Sequence, residues 1–240
     1  MDELMRANIN FFSKGIQREE FIKCNKHRIE LILKVLKEIP QEKIADIGCT
    51  GGMLAEFYKN LPGIKIIVGF EASEEMSKNT CSLFSEIRIW KAGYTDCPAK
   101  DDEFDVIIAG EIIEHILNTD YFLKEVSRIL KKGGFVLLTT PNLCYWGNRV
   151  RLFIGKVPYS LPSVSSSFHY DAVDPYHIRI GNMDEWRKYF EKMNFKVVKI
   201  MGYNYYDIGG KGKYLRKFFD LFLYKKPSLA RGLFFILKKL

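Results

Sequence analysis

The stretch Glu42-Lys43-Ile44-Ala45-Asp46-Ile47-Gly48-Cys49-Thr50-Gly51-Gly52-Met53-Leu54 leaves the chain few ways to fold. Ile44 to Ile47 is short and apolar with β-branched ends, which predicts a buried strand. Gly48, Gly51 and Gly52 then permit a tight turn with positive φ and let a ligand approach the backbone closely. From Met53 through Tyr58 the pattern turns helical, so the glycines sit where a strand feeds a helix N-terminus. The unpaired N–H groups and positive dipole end there suit a carboxylate or phosphate. An ordinary β–α turn reads the same way, because short glycine motifs carry little information alone.

A second apolar strand, Ile64 to Phe70, ends in Glu71, 25 residues after Asp46. An acid at the end of the second strand of a nucleotide-binding βαβ unit accepts hydrogen bonds from ribose hydroxyls. The glycine order G-x-x-G-G departs from the dinucleotide fingerprint G-x-G-x-x-G, and an aspartate inside the first strand is unusual for such a site.

Asp46 to Gly52 resembles the first motif of the class I S-adenosylmethionine-dependent methyltransferases, D-x-G-x-G-x-G, with Thr50 in place of the central glycine. Phe104 to Glu111 with Glu114-His115 is similar to that family's fourth strand and following turn, and Leu130 to Leu137 to its "LKPGG" turn and fifth strand. The resemblance covers about residues 42–140 and implies an α/β, Rossmann-like, doubly wound fold. Its sheet would have seven mostly parallel strands with an antiparallel last strand, and helices on both faces. It implies S-adenosylmethionine as cofactor, with S-adenosylhomocysteine as product. By the same match Asp46 faces the methionine amino group, Gly48, Cys49, Thr50 and Gly52 offer backbone contact, and Glu71 with Ala72 meets the ribose. Gly93 and Tyr94 fall in the adenine loop, where relatives carry an acid after the glycine, and Gly110 and Glu111 lie beneath the sulfonium.

The remaining chain reads as one domain. Glu19 to Glu38 is a helix ended by Pro40; with residues 1–40 it covers the pocket, and Arg28 can reach the methionine carboxylate, although a solvated helix arginine is the commoner case. Ser73 caps a helix, Glu86 to Lys91 is a third strand, and Thr119 starts a helix closed by Gly133. Residues 141–182, rich in Tyr, Trp, Asn and Arg, leave the fifth strand over the pocket mouth as a substrate-selecting lid, with a short helix from Tyr145 to Phe153. Asn182 caps a helix from Met183 to Met193, and Phe195 to Met201 is a sixth strand. The run from His177 to Phe195 resembles the "H-x-R…helix…GF" segment of quinone-type and related small-molecule methyltransferases. His115 and His177 are the candidate catalytic bases, with His169 as a further candidate, although a histidine that simply packs and bonds to backbone is the commoner case. Tyr214 to Tyr224 is amphipathic, with Asp220 and Tyr224 on its polar face, and Gly232 to Leu237 is the closing antiparallel strand.

The net charge of +8 sits in the last thirty residues, where nine Lys or Arg face one acid. No apolar run approaches the roughly 18 residues that cross a bilayer, and the acidic start lacks an apolar signal core. The five cysteines show no C-x-x-C and no zinc-like pairing with histidine, so free thiols in a cytoplasmic protein and no metal site are expected.

In such enzymes the protein holds a nucleophile about 3 Å from an already activated methyl, in line with the departing sulfur. A base is needed only where the nucleophile must lose a proton. The fourth strand is not followed by N-P-P-Y or D-P-P-Y, which disfavours base-amino methylation, and a Pro-Cys dipeptide is missing. The leading expectation is methyl transfer to an O or N of a small molecule, lipid or saccharide, with the basic segment 211–240 suited to anionic membrane. The alternatives are an RNA-modifying methyltransferase that uses the basic segment on phosphate, and a regulatory S-adenosylmethionine-binding partner without turnover.

Overall fold

A computed structural model describes residues 18–77, 83–159, 161, 177–205 and 213–240. Cys81, His169 and residues 162–176 of the expected lid lie outside them. Seven strands, β1 (Lys43–Ile47), β2 (Ile66–Glu71), β3 (Glu86–Ile89), β4 (Phe104–Gly110), β5 (Leu130–Pro141), β6 (Phe195–Tyr203) and β7 (Gly232–Lys239), form one sheet in the order 3-2-1-4-5-7-6. β1 to β5 pair in parallel, and β7 runs antiparallel between β5 and β6. This is the expected doubly wound sheet.

The central strands are apolar on both faces because successive side chains point to opposite sides. Ala45, Ile47, Ile107, Ala109 and Leu138 pack with α4 (Thr119–Ile129) and α6 (Met183–Lys192). Ile44, Val106, Ile108 and Leu137 pack with α1 (Arg18–Leu36) and with Tyr58 of the single-turn α2 (Ala55–Tyr58). α1 turns Phe21, Asn25, Arg28, Ile29, Ile32, Val35 and Leu36 inward at helical spacing. α3 (Glu74–Ser77) follows β2, and α5 (Trp146–Phe153) follows β5. Asn182 caps α6 by accepting from the Asp184 and Glu185 N–H groups at 2.9 and 3.0 Å.

Three expectations need correction. β2 starts at Ile66, two residues late, and α2 is shorter than the helical pattern after the glycine turn. Gly133 does not close α4: the helix ends at Ile129, Leu130 is already extended, and β5 begins there. The ladder to β4 jumps from Phe104–Leu130 to Val106–Phe135, so Lys131 to Gly134 form a bulge, with Gly133 at φ 77°. Lys131 is held by Asp105 at 2.7 Å, which draws the chain onto β4 instead of round a helix cap.

α7 (Lys213–Leu223) turns Asp220 inward. Asp220 is buried and accepts from the Tyr145 hydroxyl at 2.9 Å and the Trp146 indole at 2.7 Å. Tyr224 meets the His27 ring edge-on at 4.7 Å. Phe218, Phe219, Leu221 and Phe222 are left on the outside.

Candidate active site

The strand that opens the glycine turn carries a buried acid in mid-sheet. Asp46 pairs in register with Gly69 on one side and Ile108 on the other, and is 3% exposed. The Tyr58 hydroxyl donates to it at 2.5 Å. Burial pushes its carboxyl up to about 7; the Tyr58 hydrogen bond and Arg28 oppose that rise, and nearby Glu71 adds to it. Beyond Ile47 the backbone turns through Gly48 (φ 70°), whose N–H donates to the Phe70 carbonyl at 2.9 Å. A side chain at Gly48 would both strain that φ and press within 3.0 Å of Ile112. Thr50 to Gly52 form one turn of 3-10 helix, and Gly52 (φ 75°) has Leu83 2.5 Å from where a Cβ would stand.

Cys49 donates its S–H to Glu71 at 3.2 Å, tying the glycine turn to the end of β2. Burial and then the Glu71 and Asp46 charges push the thiol far up, so Cys49 stays a protonated donor and is no nucleophile. Glu71 is buried at the carboxyl end of β2, and Ala72 follows it half-buried. Tyr94, beside Gly93 in the turn after β3, donates its N–H to the Lys91 carbonyl at 2.9 Å and leaves its ring partly exposed.

The opposite wall is made by the end of β4. Gly110 is followed by Glu111 in the left-handed region (φ 55°), an uncommon backbone for this residue type. The Glu111 N–H donates to the Thr139 carbonyl at 3.0 Å and to its hydroxyl at 3.1 Å. Its carboxylate accepts from the hydroxyls of Tyr203 and Tyr205, at the end of β6. Those two tyrosines went unnoticed in the sequence, where only the tyrosine-rich run 203–206 hinted at them.

Arg28 is not the solvated helix arginine that its residue type suggests. It is 5% exposed, reaches from α1 to the same wall, and its Nε and Nη1 have no hydrogen-bond partner. Nη1 would stand 3.7 Å from a Cβ on Gly110. The cleft between the β1 and β4 ends therefore holds a buried guanidinium with orphaned donors, three carboxylates (Asp46, Glu71, Glu111) and a backbone cradle without side chains. That set fits S-adenosylmethionine. Its carboxylate matches Arg28, its ammonium and sulfonium match an acid-rich wall, and its ribose diol matches Glu71.

His115 and His177 come together although 62 positions separate them. Their ring centroids are 5.0 Å apart, with His177 buried and His115 half-buried. Backbone hydrogen bonds from Ile178 and Arg179 to the Glu114 carbonyl, at 2.8 and 3.0 Å, clasp the two segments. Arg179 bonds the Leu117 carbonyl at 2.9 Å at the surface.

A methyltransferase-domain family model matches residues 1–200. The Pelagibacter ubique ubiquinone biosynthesis O-methyltransferase is 36% identical over 113 residues, 45% of each chain. The human mitochondrial ubiquinone biosynthesis O-methyltransferase is 30% identical over 107 residues, 42% of this chain and 29% of that one. The matches thus span less than half the length of these two relatives. Among solved structures, a methyltransferase held by the Haloferax volcanii Trm112 activator superposes with a TM-score of 0.64 at 16% identity, covering 99% of this chain and 98% of that one. A Thermotoga maritima SAM-dependent methyltransferase gives 0.63 at 18%, covering 99% and 100%. At such identities these two structures support the fold alone. With the family model covering most of its length and the cleft fitting the donor, the chain belongs to the methyltransferase-domain family, the class I enzymes that use S-adenosylmethionine.

Proposed function

We propose that this chain transfers a methyl group from S-adenosylmethionine to a hydroxyl oxygen of a small, ring-bearing acceptor. The observation that carries the reading is the cleft itself: Asp46, Glu71, Glu111 and Arg28 converge on a glycine cradle at the carboxyl ends of β1, β2 and β4. The relatives' names, which describe O-methylation in ubiquinone biosynthesis, favour oxygen over nitrogen.

In this reading Arg28 binds the donor's carboxylate, Asp46 takes its ammonium, and backbone from Gly48 through Cys49 and Thr50 to Gly52 lines it. Glu71 beside Ala72 orients the ribose, Gly93 and Tyr94 flank the adenine, and Gly110 with Glu111 faces the sulfonium. When bound, the donor supplies a methyl on a positively charged sulfur, a good leaving group. Held there, the donor would pass its methyl to the acceptor oxygen and leave as S-adenosylhomocysteine, and His115 or His177 would take up the hydroxyl proton. Residues 18–40 cover the cleft and the described residues of 141–182 act as a lid, within a single domain that 213–240 completes.

The reading extends to location. The described cysteines Cys24, Cys49, Cys97 and Cys144 are free thiols, which suits a reducing cytoplasm. No described helix is long and apolar enough to cross a membrane. Peripheral contact with anionic lipid is favoured by the outward apolar face of α7, set in the basic segment 211–240.

The test is methyl transfer from labelled donor to a panel of phenols, catechols and short-chain hydroxy-lipids. Turnover of a hydroxyl acceptor that falls sharply in Glu71→Ala supports the reading. Donor binding without product across the panel would instead favour a regulatory partner. Product only with RNA, at steeply salt-dependent affinity, would favour nucleic acid.

A further inference from the structure

Arg231 stands at the edge of the sheet where open α/β folds bind their ligands, outside the carboxyl ends of the strands. β7 runs antiparallel, so its first residue, Gly232, pairs with Pro141 at the carboxyl end of β5 and with Tyr203 at that of β6. Arg231 precedes Gly232, and its carbonyl accepts from the Asn142 N–H at 3.0 Å, which ties its backbone to the start of the lid segment. It is 6% exposed, and its guanidinium stands 5.4, 5.8 and 5.9 Å from the ring centres of Tyr145, Tyr159 and Tyr205. Tyr145 donates its hydroxyl to Asp220 and Tyr205 donates its own to Glu111, so both rings are anchored at their tips and offer their planes to the guanidinium. Tyr159 is pinned through its N–H, which the Asn148 amide oxygen accepts at 2.9 Å, and the Arg151 guanidinium lies 4.1 Å from its ring. Two cations and three rings thus gather one tyrosine away from Glu111.

We propose that Arg231 binds a carboxylate on the acceptor ring, so that the acceptor is an aromatic hydroxy acid. Resting on the methyl-transfer reading, this names the substrate class of that same site. The planar guanidinium fork takes a carboxylate through two parallel N–H···O bonds, a geometry that lysine lacks. The tyrosine rings around it meet an aromatic plane edge-on or by offset stacking, so one surface recognises both the charge and the ring. Tyr205 spans from Arg231 to Glu111, and an acceptor ring lying along it would carry its hydroxyl toward the donor cleft. A neutral analogue of the same shape forfeits the charged hydrogen bonds, and a site built to make them discriminates against it.

The test compares 3,4-dihydroxybenzoate with its methyl ester, which keeps the ring and hydroxyls and removes the charge. Both are titrated by calorimetry into the full chain saturated with S-adenosylhomocysteine, and both are offered as acceptors with S-adenosylmethionine. The acid should bind about 10–100-fold more tightly than the ester, the worth of a charged hydrogen-bonded contact, with the same preference in kcat/KM. Arg231→Gln should erase that preference, and Arg231→Lys should keep only part of it, because a point charge replaces the fork. S-adenosylhomocysteine affinity should stay level in both variants, which shows that they fold. A parent chain that binds the ester as tightly as the acid, or binds neither, overturns the proposal whether or not a variant folds. A folded Arg231→Gln that keeps the preference overturns it too. Failure of the methyl-transfer reading would show differently, as an acid bound through Arg231 with no methylated product.

Discussion

Arg28 Nη1 stands 3.9 Å from Glu111 Oε1, near enough for Coulomb attraction and too far for a hydrogen bond. The Glu111 carboxylate is bonded instead by Tyr203 and Tyr205, which leaves Arg28 Nε and Nη1 buried without an acceptor. An unmet buried donor costs about 1–3 kcal/mol, and a ligand carboxylate would recover that cost on binding.

Arg28→Met should therefore weaken S-adenosylhomocysteine binding by about 10–100-fold, the equivalent of one or two charged hydrogen bonds. Adenosine, which lacks the amino-acid part, should bind the variant and the parent alike. Calorimetry with both ligands separates the two roles. An equal loss for adenosine would make Arg28 a structural residue of the cleft wall.

Asp46 gives a proton-linked prediction. Burial, only partly opposed by the Tyr58 hydrogen bond, lifts its carboxyl from an unfolded value of 3.8 to about 7. The folded apo protein thus holds a proton that the unfolded chain has released, and stability falls as pH rises from about 4 to 7. A ligand ammonium against Asp46 favours the charged form and expels that proton. Close to one proton should be released per S-adenosylhomocysteine bound at pH 6, and close to none at pH 8.5. Calorimetry in buffers of different ionisation enthalpy measures it, and Asp46→Asn should abolish it. Release that persists in Asp46→Asn would assign the proton elsewhere.

The sheet, and with it the convergence of the strand ends that the proposed donor cleft uses, was readable because it rests on local patterns. Apolar runs ending in Gly48, Glu71 and Gly110 mark three strand ends within one stretch of chain, and parallel pairing brings them together. What lay hidden depended on partners distant in sequence. Tyr203 and Tyr205 reach Glu111 across 92 and 94 positions, and His177 joins His115 through a backbone clasp that no spacing rule shows. Arg28 looked like a solvated helix residue because its burial is set by the β4 wall, not by α1. Which face of α7 docks was not legible, because amphipathicity tells which residues share a face but not which face is buried; the two donors to Asp220 decide that.

Away from the cleft, Glu103 joins β4 to its neighbours. Lys43 Nζ lies 2.8 Å from it, Arg88 Nη2 3.0 Å and the Lys100 N–H 2.8 Å. Burial alone would raise its carboxyl, but the hydrogen bonds from Arg88, Lys43 and Lys100 win and hold it down to about 2. Its contribution is complete above 4.5 and is lost as pH falls toward 2. Glu103→Gln should cost ~2–3 kcal/mol at pH 7, below the full value of a buried pair because Lys43 is partly solvated. Urea midpoints should drop with unchanged slope, and the variant should lose less further stability between pH 4.5 and 3 than the parent. Equal acid sensitivity in the two proteins would remove Glu103 from the account.

The outward apolar face of α7 makes the last prediction. Its outward Phe218, Leu221 and Phe222 are continued by α5, where Phe153 is 90% exposed between exposed Leu152 and Ile154. Trp146 of α5 meets Phe219 of α7 at 5.3 Å, so the two helices form one joined platform. Exposed Lys156, Lys225 and Lys226 stand beside these apolar groups, the pairing expected of an anionic lipid surface. The chain should sediment with phosphatidylglycerol vesicles and much less with phosphatidylcholine, and high salt should weaken the binding. Phe153→Ser with Phe222→Ser should lower it about 10-fold or more, since each buried ring is worth ~1.5–3 kcal/mol. S-adenosylhomocysteine affinity should stay level, because neither residue lines the cleft. A parent chain that ignores anionic vesicles, or a concentration-dependent dimer that the double substitution abolishes, would assign this platform to a protein partner.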